Sequence, residues 1–422
     1  MLPEDLQSQI DKIPKDILPV VEFHRGIDPG IVSMAYLVQV AMKEMNFTRY
    51  DRDIFIVCEI NRCHIDSIQI LTGCTIGNRR LRVKNFGKWA MTVFNAKEKK
   101  AVRFYVKPGF PPRDFFKEFK PGLPKPEIVK IAQRAAFKLL EIPPEEYVRR
   151  EEVRLKEKIK STYPPTEFAF CEQCGERVTD GLLEQRNGKR YCKGCLNPYY
   201  RKIRAIENIP KVDWYKNLKL IKLDSHITNI DIPEGIKSLI EFHGGVDPAM
   251  VMMSSLAQAA LKKMETDYAT KSLFAFVENA RCHSDAIQWF TGCTAGNRRL
   301  FIKDYGKTAF TLIDPQKNRA VRAYARPGFP PLEDRREFKK EMTKLESRRI
   351  VAQAAKRTWE IPPREYICLD EVKILESIPL PYPCTIFQYC DKCGELVMDG
   401  LTQSQNGRKY CRGCLNPYYE KL

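Results

Sequence analysis

Two Cys-x2-Cys pairs separated by seventeen residues occur twice along the chain, and the second set repeats the first. Cys171, Cys174, Cys192 and Cys195 recur as Cys390, Cys393, Cys411 and Cys414, an offset of 219 residues. The same offset carries His24 to His243, Cys63 to Cys282, His64 to His283, Cys74 to Cys293, and Lys88 to Lys307. Solenoid repeats run about 20–50 residues, so a repeat this long is a duplicated module of domain size. Each copy has two parts, a larger segment and a cysteine-rich tail. The expected division is a core over residues 1–162, a finger over 163–208, a second core over 209–381 and a second finger over 382–422.

The cysteine-rich tails carry the more specific signal. Four thiolates at this spacing close a tetrahedron around zinc and leave no position for chemistry, so two structural zinc ions are expected. Asn187-Gly188 and Asn406-Gly407 are favoured type I′ hairpin dipeptides lying between the pairs of each set. The order is therefore turn, hairpin, then a second pair opening a helix expected over residues 196–200, as in a treble clef. A finger with so little core depends on its metal to fold. Cys58, Cys368 and Cys384 have no counterpart at the repeat offset, and Cys58 aligns with Val277, so it reads as a small buried hydrophobe.

The larger segments alternate helical and strand patterns. Asp28-Pro29 and Asp247-Pro248 each set an N-cap and a proline at the first helical position, ahead of apolar residues at helical spacing. Ile54 to Val57 and Leu273 to Phe276 read as buried strands. A helix is expected from about Cys63 to Leu71, stopping at Thr72-Gly73. Strands are expected over Leu81 to Phe94 and Ala101 to Val106, then a helix from Pro126 to Leu140 ended by Pro143-Pro144. Mixed helices and adjacent strands make an α+β core. Two such homologous core domains in one chain are expected to pair as an intramolecular pseudo-dimer.

The net charge of +18 suits an anionic partner, although the basic residues are spread along both halves. Met1-Leu2-Pro3-Glu4-Asp5 lacks the basic–apolar pattern of a signal peptide, and no apolar run approaches the ~18 residues of a membrane span. A cytoplasmic protein without a membrane partner is expected. In the cores, His24, Cys63, His64 and Cys74 and their equivalents His243, Cys282, His283 and Cys293 are the candidate site. Cys63 and Cys74 are eleven residues apart, about three helical turns, which points both one way if the helix runs through. Imidazole and thiolate together suit a metal of unknown identity or an activated thiol. Packing of small apolar cysteines explains the same residues. Arg79, Arg80 and Lys88, with Arg298, Arg299 and Lys307, make either an anion pocket or a solvated turn.

Longer strings identify a resemblance. Phe23-His24-Arg25-Gly26-Ile27-Asp28-Pro29-Gly30, Arg62-Cys63-His64-Ile65-Asp66, Thr72-Gly73-Cys74-Thr75 and Asn85-Phe86-Gly87-Lys88 are similar to the FmdE family of formylmethanofuran dehydrogenase proteins. Asp285-Ala286-Ile287-Gln288-Trp289-Phe290-Thr291-Gly292-Cys293-Thr294 in the second copy is closer still. The resemblance implies an α+β core that pairs with another, a Cys/His-lined cavity that binds metal, and a setting in C1 metabolism. It covers both halves, and the trailing fingers look like the family's treble clef. The family's opening pattern is His-Gly-His-x-Cys-x-Gly. Gly26 and Asp28, and Gly245 and Asp247, stand where its second His and its Cys belong. The leading expectation is a zinc-binding accessory protein holding a metal or an anionic cofactor, or a protein partner. A nucleic-acid-binding regulator and a Cys/His-dependent enzyme are the alternatives.

Overall fold

A computed structural model describes residues 4–49, 51–157, 159, 168–212, 219–223, 230–268, 270–329, 344–378, 386–398 and 400–422. Cys384 and His226, which have no counterparts at the repeat offset, lie outside the described residues. In the first half α1 (Leu18–His24) leads into α2 (Pro29–Glu44), whose start is capped by Asp28 accepting the Ile31 N–H at 3.0 Å. Then follow β1 (Ile54–Cys58), α3 (His64–Thr72), β2 (Leu81–Val83), β3 (Ala90–Asn95), β4 (Lys100–Val106), α4 (Lys125–Leu140) and β5 (Val148–Leu155). After the first finger comes β6 (Tyr200–Ala205). The second half repeats the order as α5 (Lys237–His243), α6 (Pro248–Lys263), β7 (Phe274–Val277), α7 (Cys282–Thr291), β8 (Leu300–Ile302), β9 (Ala309–Asp314), β10 (Arg319–Ala325), α8 (Lys344–Glu360) and β11 (Ile367–Ile374). A last strand, β12 (Tyr419–Lys421), ends the second finger.

Three local expectations need correction. Gly73 takes a left-handed φ of 65° and ends α3, so the helix does not run through to Cys74, and the eleven-residue spacing loses its meaning. The stretch from Leu81 to Phe94 is two strands rather than one. Gly87, at φ 72°, breaks it where a side chain would strike the backbone of Met398. The finger helix is the single turn Lys193–Leu196, and Tyr200 already opens a strand.

The two sheets explain how the halves are joined. The first runs β2-β1-β3-β4-β5-β12 and the second β6-β11-β10-β9-β7-β8. Only β1–β2 and β7–β8 are parallel. The edge strand of each sheet thus comes from the finger of the other half: β12 pairs with β5, and β6 with β11. The cores meet through their helices. Phe23 and its repeat equivalent Phe242 lie 5.0 Å apart, both against Trp289, and one apolar core runs through both halves.

Buried ion pairs lock the exchange. The guanidinium of Arg103 donates to Glu59 at 2.7 and 2.9 Å, and to Glu395 of the second finger at 2.6 Å. Lys88 donates to the same Glu395 at 3.1 Å. The second half repeats this with Arg322, Glu278, Lys307 and Glu176 of the first finger. Such charges are tolerable in the interior because each is paired, and the arginines and carboxylates are hydrogen-bonded more than once. Lys88 and Lys307, expected beside the core cysteines, are core-to-finger anchors instead. Replacing one carboxylate leaves two buried cations under-paired. Glu395→Ala and Glu176→Ala are each expected to lower unfolding free energy by about 3–5 kcal/mol, read by urea denaturation. A loss below about 1 kcal/mol, the range of an exposed pair, would show that the junction does not hold the fingers.

Candidate functional site

Each core signature is read by the opposite half. Asp66, fully buried on α3, accepts the Thr294 hydroxyl at 2.6 Å and the Gly296 N–H at 3.1 Å. Asp285 on α7 accepts the Thr75 hydroxyl at 2.5 Å and the Gly77 N–H at 2.9 Å. A Cβ at Gly296 or Gly77 would stand within about 2.5 Å of these carboxylates, so only glycine allows the approach. Between them Gln69 and Gln288 exchange two amide hydrogen bonds at 3.0 and 3.2 Å. Asn78 and Asn297 tie down the loops, donating to Gly73 and Gly292 carbonyls. The longest shared string of the sequence is therefore the interface between the copies.

The same carboxylates orient the histidines. His24, the last residue of α1, bonds Asp66 through Nδ1 at 2.7 Å, and His243 bonds Asp285 at 2.6 Å. Burial pushes the His24 imidazole down. The hydrogen bond and charge of Asp66, with Asp28 behind, outweigh it and hold His24 above its ordinary value. Cys63 lies 3.5 Å from His64 Nδ1, and Cys282 3.6 Å from His283. Burial, then the Asp28 carboxylate, pushes the Cys63 thiol well up; Asp247 does the same to Cys282. A thiol held protonated is a poor nucleophile. Cys74 and Cys293 face elsewhere, donating to the carbonyls of Ile54 and Leu273. Among the described residues, the groups of three or more Cys, His or acidic donors close enough to share an ion are the two finger sets. The core donors do not fit the metal implied by the resemblance.

His24 and Cys63 instead stand in the wall of a cavity of about 310 Å³. Its charged lining is Arg25, Asp28, Arg62 and Lys125 from the first half with Lys271, Arg298 and Arg299 from the second. Its apolar side is Trp89, Phe116 and Phe119, closed by Phe387 and Met398 of the second finger. Phe387 stacks on Phe116 at 3.8 Å, and Trp89 donates to the Met398 sulfur. The anion-pocket arginines are thus drawn from both copies: Arg298 reaches the first half's cavity, while Arg79 lies by Arg281 of the second half. His64 packs behind the wall on Trp89. Sequence reasoning misses the finger contribution, although Glu176 and Glu395 also differ by the repeat offset and flag the junction.

In each finger the four sulfurs lie within 4.8 Å of one another. Cys171–Cys195 and Cys390–Cys414 are 3.8 Å apart, the edge of a tetrahedron with zinc–sulfur bonds of about 2.3 Å. Cys192 and Cys411 are pulled down to about 3 and about 4, by their partner thiols first and by Lys307 or Lys88 as well. Backbone N–H groups of Cys192 and Cys195 donate to Cys171 and Cys192 sulfurs, at 3.3 Å each. The two four-cysteine sites are compatible with two zinc ions.

Both parts of each copy match known families. The family model described as FmdE, molybdenum formylmethanofuran dehydrogenase operon, matches residues 23–149 and again 242–368. The prokaryotic dksA/traR C4-type zinc finger model matches 166–201 and 386–420. A probable S-adenosyl-L-methionine-binding protein of Archaeoglobus fulgidus is 31% identical over 212 residues, covering 45% of this chain and 54% of that protein. The chain thus spans about half the length of this relative. A crystal structure of a tungsten formylmethanofuran dehydrogenase FmdE-like protein from Syntrophus aciditrophicus is 21% identical, covers 45% of this chain and 91% of its own, and has a TM-score of 0.31.

Two measurements check the site. Metal analysis of purified protein is expected to find two zinc ions per chain; fewer than two in well-folded protein would refute the finger assignment. The His24–Asp66 pair contributes stability that is full below the unfolded imidazole value of about 6.5 and is lost as pH rises through the higher folded value. Asp66→Asn is expected to move the His24 titration, followed by NMR, downward. An unchanged midpoint would mean that Asp66 does not set it.

Proposed function

The chain belongs to the FmdE family, and from that premise we propose that it is a zinc-bearing accessory protein whose first-half cavity binds a small cofactor of C1 or redox metabolism. The cavity wall is the observation that carries this reading. Its volume is that of a small-molecule site, and its lining joins aromatic with charged side chains. Trp89, Phe116, Phe119 and Phe387 offer flat apolar surface to an aromatic ring. Arg25, Arg298 and Arg299 face it with positive charge, and Asp28 adds one carboxylate.

S-adenosylmethionine has groups for both parts of this lining, since it joins an adenine ring, a carboxylate, and a sulfonium and an α-ammonium cation. The adenine would lie on the aromatic side, the sulfonium toward Asp28 and the carboxylate toward the guanidiniums. The name of the Archaeoglobus fulgidus relative supports that choice of ligand. The zinc of the second finger has a structural part here: it holds the segment that supplies Phe387 and Met398. The protonated Cys63 thiol speaks against covalent catalysis, so the reading is a binding one.

Calorimetry with S-adenosylmethionine on zinc-loaded protein is the test. One equivalent is expected to bind, and Trp89→Ala is expected to weaken it about tenfold or more, the usual effect of losing a buried aromatic contact. No heat with S-adenosylmethionine, and none with adenosine or methionine, would sink the reading.

A further inference from the structure

Arg25 is an anomalous side chain among the described residues. It is only 6% exposed, yet none of its three guanidinium nitrogens meets a hydrogen-bond acceptor among the described residues. Its guanidinium lies 3.9 Å over the Tyr268 ring and packs against Gly292, both from the second half. A Cβ at Gly292 would come within 2.8 Å of the guanidinium carbon, so that glycine makes room for it. Its backbone is left-handed, φ 64°, at the end of α1, a conformation that disfavours any residue with a Cβ. The second copy has Gly244 there, at φ 78°. Arginine is thus kept at a position where glycine is easier for the backbone, and where its charge is buried.

The surroundings add to the anomaly. Arg299, also 6% exposed, is close enough for the two cations to repel, and its own bonds go to the carbonyls of Gly292 and Thr270. Asp66, whose charge reaches Arg299, already accepts from His24, Thr294 and Gly296. Lys125 and Lys130 lie at the adjoining mouth of the cavity. Buried cations are normally paired within the fold. Here a desolvated cation without a hydrogen-bond partner is packed on Tyr268 and Gly292 beside the cavity that Arg25 helps to line, and a turn of its planar fork toward that cavity would present donors that match the oxygens of a carboxylate or phosphate.

We propose that Arg25 binds the oxyanion of the ligand, and that the first-half cavity alone carries this oxyanion site because Gly244 replaces the arginine in the second copy. The inference rests on the cofactor-binding reading for the ligand as a whole, but the anion site is testable without it. Other differences point the same way: Trp89 and Met398 of this cavity correspond to Thr308 and Thr179.

The test uses Arg25→Gly, which installs the residue already accommodated in the second copy, with Lys189→Gln as a control that removes one charge from a surface hairpin. Thermal unfolding is followed with phosphate, with acetate and with chloride at matched ionic strength. Without oxyanion, Arg25→Gly is expected to unfold at a higher temperature than wild type, because a buried charge and a left-handed arginine are both removed. Phosphate or acetate is expected to stabilise wild type and the control saturably, and to leave Arg25→Gly unmoved; the better of the two shows which oxyanion the fork prefers. Calorimetry then compares S-adenosylmethionine with its decarboxylated form. Wild type is expected to prefer the carboxylate form by about tenfold or more, the effect of a charged hydrogen bond, and Arg25→Gly to lose the preference. An anion response shared equally by wild type and Arg25→Gly overturns the proposal. If wild type responds to oxyanions through Arg25 but binds no S-adenosylmethionine, the oxyanion site stands and the choice of cofactor falls. If S-adenosylmethionine binds equally to both proteins, the cofactor reading stands and the role of Arg25 falls.

Discussion

Two buried carboxylates govern the architecture. Asp66 and Asp285 sit at zero exposure on α3 and α7, and each takes half of its hydrogen bonds from the other copy. A lone buried carboxylate is costly, and pairing with the opposite loop removes that cost. Separating the cores would strip both carboxylates of their cross-copy donors at once. The interface is thus a condition for the site, because the aspartate that accepts from the partner loop also aims His24 at the cavity.

The fingers repeat the same logic at the periphery. A four-cysteine finger has almost no core of its own, and its attachment must come from elsewhere. Glu176 and Glu395 enter the opposite core and meet Arg322 and Arg103. Tyr199 and Tyr418 follow, donating to Glu278 and Glu59 beneath the same arginines. Each finger then adds its final strand to the sheet it is clamped against, covering an edge that would otherwise be open. Crossing of this kind makes finger and core mutually dependent. The second finger, whose four cysteines are placed to hold zinc, also shapes the first cavity through Phe387 and Met398.

Much of this was legible in one dimension. The repeat offset announced two cores and two fingers, Asp28 and Asp247 were readable as helix caps, and the cysteine spacing named the metal geometry. The partners of the shared residues were not legible, because a repeat says which positions matter but not which copy they face. Arg298, Lys88 and Asp66 all act on residues more than two hundred positions away in sequence or across the interface. Cys63 and Cys74 illustrate the opposite error. Helical periodicity placed them on one face, but Gly73 turns left-handed between them and sends Cys74 into the strand layer. Periodicity is informative only while the helix lasts.

Duplication within one chain also removes a restriction that a dimer of identical subunits obeys. Two identical chains must build two identical cavities, whereas two linked copies are free to diverge while their interface stays paired. The interface residues here do stay paired: Asp66 with Asp285, Gln69 with Gln288, Asn78 with Asn297. Much of the cavity wall stays paired too, including His24, Asp28, Cys63 and Arg298, but Arg25, Trp89 and Met398 correspond to Gly244, Thr308 and Thr179 at the same offset. Symmetry is retained throughout the interface and is broken at these three positions of the cavity wall. One copy then serves as scaffold for the other, supplying Arg298, Arg299 and a finger to a cavity whose most specific groups belong to the first half.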